Sequence, residues 1–343
     1  MKKQYYLIDI FKYVFAIGIV ALHTPVLSIF GEYEYYIEKL IVRLGVPFFF
    51  VVSGFLFGQK LNEIKDNDID GIRRIFIAYT KRLLKPLIFF ETIAIILNLP
   101  MYLEDNFIIA FLKIIRSIIF YPGGKLWYIQ ASIVGVWLIY LIKKVGWDRY
   151  TILIGGILYL FALVNNSYYF MIENNLIGKI VKINMMITNS ARNGIFVGLF
   201  FISLGIVSSK IHNKYNEIIK ARFILAGISI TLFILYVFEI FILRDKNFCD
   251  DKSLFVVLPL FVFSFVLWLA TFVNTRSKTV IFRNLSTGIY LLHDPMLKVM
   301  AYALMILSIK LSLVEIFILT LIIVHIICIV CYKRQNKFAD ILK

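Results

Sequence analysis

Charge is what this sequence has least of. Only 17% of its 343 residues are Asp, Glu, Lys or Arg, against 61% hydrophobic residues and a mean hydropathy of +0.85. A globule in water needs more polar surface than that, so a soluble fold is excluded and lipid is the expected solvent. Cysteine is scarce as well. There are three, an odd number, and Cys328 and Cys331 lie inside the last apolar run, which argues against a disulfide framework and against CxxC redox chemistry. A basic stripe is missing too, although the formal charge is +16. Lys and Arg are scattered through short loops between apolar runs, which excludes nucleic acid and favours anionic headgroups or a phosphorylated ligand. No His or carboxylate spacing has a metal-ligand pattern, so no metal and no permanently bound cofactor are expected. No small-residue cleavage site of the Ala-x-Ala type follows the first apolar run, which is therefore expected to stay as a span. There is no fixed-period repeat and no inverted-topology signal.

What is present is a series of apolar runs long enough to cross a hydrocarbon core roughly 30 Å thick. They place spans near 7–29, 40–58, 78–99, 126–142, 151–164, 194–208, 223–243, 254–273, 287–308 and 311–332. The expectation is an all-α, polytopic transmembrane bundle of about ten spans forming one domain over residues 1–343. The fifth and sixth runs are short, and 106–120, interrupted by Lys113 and Arg116, suits a helix lying in the membrane interface. With the N-terminus in the cytoplasm, about twice as many Lys and Arg fall inside as outside, which puts both termini on the cytoplasmic side.

Ionisable residues at membrane depth are costly, and they mark functional candidates. The first run carries Asp9, Lys12 and His23. Eleven helical steps of about 100° return Lys12 and His23 to within about 20° of one direction, and Asp9 falls about 40° to the other side, in reach of Lys12. Asp9 and Lys12 read equally as headgroup-level residues, with Lys12 snorkelling, or as part of a polar stripe. His23 suits general base work, the alternative being a core histidine bonded to a carbonyl. In the second run Pro47, Ser53 and Gly54 suit close helix packing. Lys81, Arg82 and Lys85 open the third, as positive-inside anchors or as partners for phosphates. Trp127 and Tyr128 follow the Tyr121-Pro-Gly-Gly turn at a membrane boundary, and Arg192-Asn-Gly194 opens the sixth run, where it would hold an anion or anchor the helix end. His293, Asp294 and Pro295 sit in the ninth run with Lys298 one turn on, explained structurally by a kink with internal pairing.

Taken in order, Lys12 to His23, Pro47 to Leu56, Lys81 to Pro86, Leu126 to Tyr128, Gly194 to Gly205 and Ile289 to His293 resemble the motifs of the acyltransferase-3 family of integral membrane acyltransferases. The resemblance covers nearly the whole chain. It departs at Lys12, where the family motif has Arg, so the charge stays but the planar fork is lost. The resemblance implies transfer of an acyl group, commonly acetyl from acetyl-CoA as co-substrate, to a hydroxyl of a sugar, polysaccharide or other envelope component in a bacterial plasma membrane. It implies His23 as general base or acyl carrier, and Lys12 and Asp9 ordering the cytosolic mouth. Lys81, Arg82 and Lys85 would meet CoA phosphates, and Ser53, Trp127, Tyr128, Arg192 and His293 would contact substrate or donor. Partners are then the bilayer, the acyl donor and the carbohydrate or envelope acceptor, and a homo-oligomer is compatible with the sequence. The rival is a transporter or flippase of a small envelope precursor or amino acid, because charges along one helix face also describe a permeation path. His23 and His293 belong to distant runs. If they meet, a shared base and orienting residue is expected rather than a cation site.

Overall fold

The structure is a computed structural model, and it describes residues 4–65, 68–120, 122, 125–214, 220–274, 279–334 and 341–342. Apart from two-residue strands at Gln4–Tyr5 and Val273–Asn274, its regular structure is helical. The first seven helices are α1 (Tyr6–His23), α2 (Glu34–Leu40), α3 (Gly45–Leu61), α4 (Ile69–Leu97), α5 (Leu99–Leu103), α6 (Phe107–Ile119) and α7 (Trp127–Lys144). The chain continues through α8 (Thr151–Val164), α9 (Leu176–Thr188), α10 (Leu199–Lys214), α11 (Arg222–Leu243), α12 (Leu258–Ala270), α13 (Val280–Ile306) and α14 (Leu313–Arg334).

Six stretches among the described residues are long and apolar enough to cross a membrane: Tyr6–His23, Val26–Leu61, Gly194–Asn213, Arg222–Leu243, Val280–Ile306 and Leu313–Arg334. The chain is therefore an all-α membrane protein. The runs expected at 78–99, 126–142, 151–164 and 254–273 also become helices, α4, α7, α8 and α12. They fall short by composition or length: α4 carries Lys81, Arg82, Lys85 and Glu91, and α8 and α12 have only 14 and 13 residues.

Several boundaries differ from the sequence reading, α4 and α13 among them, which start at Ile69 and Val280 rather than 78 and 287. The first helix stops at His23 rather than running to 29. The Thr24 hydroxyl bonds the Val20 carbonyl at 3.0 Å, and Pro25 has no N–H with which to continue the helix. The sixth run extends past 208 to Lys214, through polar residues that hydropathy alone ends on, with the His212 Nε2 3.2 Å from the Ala270 carbonyl oxygen. Helix α9, mixed in polarity, has no counterpart among the expected spans. The interrupted segment 106–120 does fold as a helix, α6, started by Asn106, whose side chain accepts from the Ile109 N–H at 2.9 Å. Lys113 on α6 is held by Asp105 at 2.6 Å, while Phe107, Ile108, Phe111 and Leu112 stay exposed. Of the Tyr121 to Tyr128 turn, residues 121, 123 and 124 lie outside the described residues.

The helices divide into two compact units that alternate along the chain. One comprises Met1–Gly45, Lys85–Leu126 and Asn274–Lys343, the other Val46–Leu84 and Trp127–Val273. In the first unit α1 lies against α13. Tyr13 supports the arrangement, its ring 5.2 Å from that of Phe282 and its hydroxyl 2.8 Å from the His325 Nε2. A small apolar cluster of Ala21, Val26, Leu27 and Val42 closes the turn after α1.

In the second unit α3 and α10 approach backbone to backbone. A Cβ added at Gly54 would collide with the backbone of Ile202, and one at Gly205 with the Val51 carbonyl. Lipid tails give helices no hydrophobic reason to associate, so this close packing of small residues is what holds the pair. It assigns the Ser53-Gly54 signal of the second run a packing role at Gly54.

Candidate functional site

Helices α1 and α13 are joined at two levels. At the start of α1, Asp9 is only 4% exposed, and its carboxylate is gripped by Arg283, with Nε and Nη2 each at 2.9 Å from its two oxygens. Thr279 adds its hydroxyl at 3.3 Å. The pairing considered from sequence was Asp9 with Lys12. The structure instead gives the carboxylate to a planar guanidinium, which meets both oxygens at once. Arg283 was visible only as one of several loop cations, because its partner is 274 residues away.

At the end of α1, His23 is the last helical residue, where the helix dipole favours a cation. Its ring stacks on that of His293, with centroids 5.2 Å apart and planes inclined by 22°. The two histidines expected on distant spans therefore do meet. His293 is fully buried, and its Nδ1 lies 2.7 Å from the Tyr290 carbonyl oxygen. A carbonyl can only accept, so Nδ1 carries a proton, and whenever the ring is neutral its unshared pair is on Nε2. That Nε2 is buried and has no hydrogen-bond partner among the described residues. Asp294 is paired with Lys298 one turn on, at 3.0 Å, the internal pairing that the sequence offered as the structural explanation. The Tyr290 hydroxyl reaches back to the Lys125 carbonyl at 2.8 Å.

The second unit gathers other candidates. Ser53 and Tyr128 share a hydrogen bond of 2.6 Å, and the Tyr128 ring meets Phe50 edge-on at 4.8 Å. Trp127 starts α7, buried, with Arg192 over its ring at 5.5 Å. Arg192, expected to hold an anion or anchor a helix end, is already matched by protein carboxylates, with Nη1 2.9 Å from Asp251 and Nε 3.4 Å from Asp250. Ser190 donates to Asp250 at 2.5 Å. Burial pushes the Asp250 carboxyl above the usual aspartate range and Asp251 adds to this, while Arg192 pulls the other way. Asn193, not Arg192, caps the turn that leads into α10, its side chain accepting from Ile195 and Phe196.

Lys81, Arg82 and Lys85 all lie exposed on α4, and the Arg82 guanidinium sits over the Tyr79 ring at 5.3 Å. Lys12 is half-buried on α1. Sequence reasoning missed two buried acids besides Arg283. Glu91 accepts from Ser117, and Glu239 accepts from Tyr168 at 2.6 Å and from the backbone N–H groups of Val256 and Val257. Their only signal was an acid inside an apolar run.

Among curated proteins, an amino-acid racemase of Enterococcus faecalis is 31% identical over 223 residues, 61% of this chain and 29% of its own length. A second amino-acid racemase of Enterococcus faecalis is 27% identical over 292 residues, 83% of this chain and 40% of its own. A serine/alanine racemase of Enterococcus gallinarum is 27% identical over 266 residues, 75% of this chain and 36% of its own. The chain thus spans 29% to 40% of the length of these relatives. No solved structure matches it. A family model, that of the acyltransferase domain, matches residues 5–333, and the chain belongs to the acyltransferase-3 family.

Proposed function

We propose that this protein is an O-acyltransferase of the bacterial plasma membrane. It would move an acyl group, acetyl in the simplest case, from acyl-CoA to a hydroxyl of a sugar, polysaccharide or other envelope component. The observation that carries the reading beyond family membership is the stacking of half-buried His23 on fully buried His293. In the proposed reaction His23 takes the proton of the acceptor hydroxyl as its oxygen attacks the thioester carbonyl. The tetrahedral intermediate collapses with loss of the CoA thiolate, which takes that proton back from His23. In a two-step variant the acyl group passes first to His23 and then to the acceptor. His293, oriented by the bond from its Nδ1 to the Tyr290 carbonyl, offers its ring face to the charge that His23 gains. The Asp9–Arg283 clasp and Lys12 would order the cytosolic mouth. Lys81, Arg82 and Lys85 are the proposed partners of CoA phosphates, as charge-assisted hydrogen bonds to phosphate are strong. Ser53, Trp127 and Tyr128 are proposed as lining residues, and Arg192 as support for Trp127. About ten spans with both termini in the cytoplasm would complete the reading.

Release of CoA thiol from acetyl-CoA by the purified protein tests it. The wild type should release thiol and label an envelope acceptor, and His23→Ala should lose both while still inserting into the membrane. Full turnover in that variant would refute the assignment. The racemase names of the longer relatives support a second reading, in which a membrane unit passes an amino acid across the bilayer. Uptake of labelled serine or alanine by proteoliposomes without thiol release would favour it.

A further inference from the structure

The first unit contains a cavity of about 310 Å³ lined by Asn98, Tyr102, Asp105, Lys113, Lys125 and Lys298, with Met101 beside them. Three cations and one carboxylate border it, and two of the cations already have acidic partners. Lys113 is held by Asp105 at 2.6 Å and Lys298 by Asp294 at 3.0 Å. Lys125 adds a further positive charge to the wall, at a position with positive φ (58°), and its carbonyl receives the Tyr290 hydroxyl at 2.8 Å. The cavity is therefore net positive and carries polar lining side chains able to bond a ligand hydroxyl, Asn98 and Tyr102.

It is also wired, through α13, to His293 of the histidine pair. Lys298 holds Asp294, the residue next to His293, and Tyr290 both touches Lys125 and supplies the carbonyl that fixes His293. The rings of Tyr290 and His293 lie 5.9 Å apart. Along α13 the cavity lies beyond His293, at the end opposite the Asp9–Arg283 clasp. On the ten-span topology proposed above, that end belongs to the face where the loops carry fewer cations. A cluster of lysines on the cation-poor face is not explained as a topology anchor.

We propose that this cavity is the acceptor pocket, and that it selects an acceptor bearing an oxyanion, a carboxylate or a phosphate, close to the hydroxyl that is acylated. The inference rests on the acyltransferase reading and names the substrate class of that same site. Lys125 supplies the charge that meets the oxyanion, Lys298 orders the inner wall through Asp294, and Tyr102 and Asn98 meet neutral hydroxyls. Neutral polyols, which gain nothing from Lys125, bind poorly.

Three probes that share a carbon skeleton test this on the full chain in detergent: glycerol 3-phosphate, glycerate and glycerol. Binding is read by thermal shift, independently of turnover. The wild type should be stabilised by glycerol 3-phosphate, by glycerate or by both, and not by glycerol at the same concentration. Whichever anion acts identifies the oxyanion preferred. Lys125→Gln should raise the half-saturating concentration about tenfold or more, the ordinary effect of losing one charge-assisted hydrogen bond, and Lys125→Arg should restore it. Equal shifts with all three probes, no shift with any, or undiminished anion binding by Lys125→Gln would overturn the proposal. Anion binding that persists in His23→Ala, together with wild-type failure to release thiol from acetyl-CoA, would leave the pocket standing and refute the acyltransferase reading alone.

Discussion

Arg192 in one unit and His293 in the other are both polar groups held out of water, but their surroundings are completed in opposite ways. Around Arg192, Asp250 and Asp251 take the charge, Ser190 bonds one of them, and the Trp127 ring covers the guanidinium face. Around His293 one nitrogen is bonded and the other is left without a hydrogen-bond partner among the described residues, facing a protein interior that also holds the His23 ring. A buried ion network whose members satisfy one another gives shape and little else. A buried basic nitrogen left open is costly to keep, and such a cost is the usual mark of a working group. Number of charges does not separate the two clusters. Completeness of hydrogen bonding does.

The comparison is sharpened by variants that should act on one property and not the other. Arg192→Ala leaves two largely buried carboxylates without their cation, and should lower stability by about 3–5 kcal/mol. A large drop in the detergent melting temperature is the expected result, with thiol release per folded molecule reduced only through the loosened Trp127 and far less than by loss of His293. His293→Phe keeps a ring against His23 but removes both nitrogens. Turnover should fall about a hundredfold, at the lower edge of general acid–base contributions, while melting shifts little. If Arg192→Ala instead struck turnover and His293→Phe struck only melting, the contrast drawn above would be broken.

Smaller effects follow from the other ion pairs. Asp9→Asn retains an oxygen for Arg283 but not the second charge-assisted bond, and should cost about 1.5 kcal/mol in chemical denaturation. The mildest effect concerns pH. The Asp250 carboxyl is raised in the folded state, so the native protein holds its proton at pH values where the unfolded chain has lost it. Its contribution to stability is therefore greatest below the ordinary aspartate value of about 3.9 and declines as pH rises through the raised one. Asp250→Asn should flatten that part of the melting profile, and an unchanged slope would show that the carboxyl does not titrate there.

Much of the architecture was legible because hydropathy reports which segments avoid water. Each expected run, from 7–29 to 311–332, coincides with a helix. Boundaries were less legible, because they depend on individual side-chain contacts, as of Thr24 with the backbone after α1 and of His212 with the Ala270 carbonyl near the end of α10. Helix α9 escaped because its Lys and Asn residues dilute the apolar signal. For the site, residue type pointed to His23 and His293 but did not separate them from His325, which also lies in an apolar run and bonds Tyr13. Helical periodicity on one segment could suggest that Asp9 pairs with Lys12. It could not reveal Arg283, because a contact across 274 residues leaves no local trace. Arg192 was misleading for the converse reason: an isolated arginine in sequence looks available until its acids come from a distant loop.

The two joints between α1 and α13 also bear on how the protein is made. Helix α1 leaves the ribosome well before α13, carrying Asp9, and the arginine that neutralises Asp9 arrives 274 residues later. During synthesis the charge must be tolerated at the headgroup level, or shielded by other means, while the intervening segments insert. Only when α13 follows can the clasp close and the two imidazoles stack. The chemical apparatus of the first unit is thus withheld until a late stage of biogenesis, and a nascent chain halted after α12 would already hold many of its membrane helices while lacking the partner of its first one.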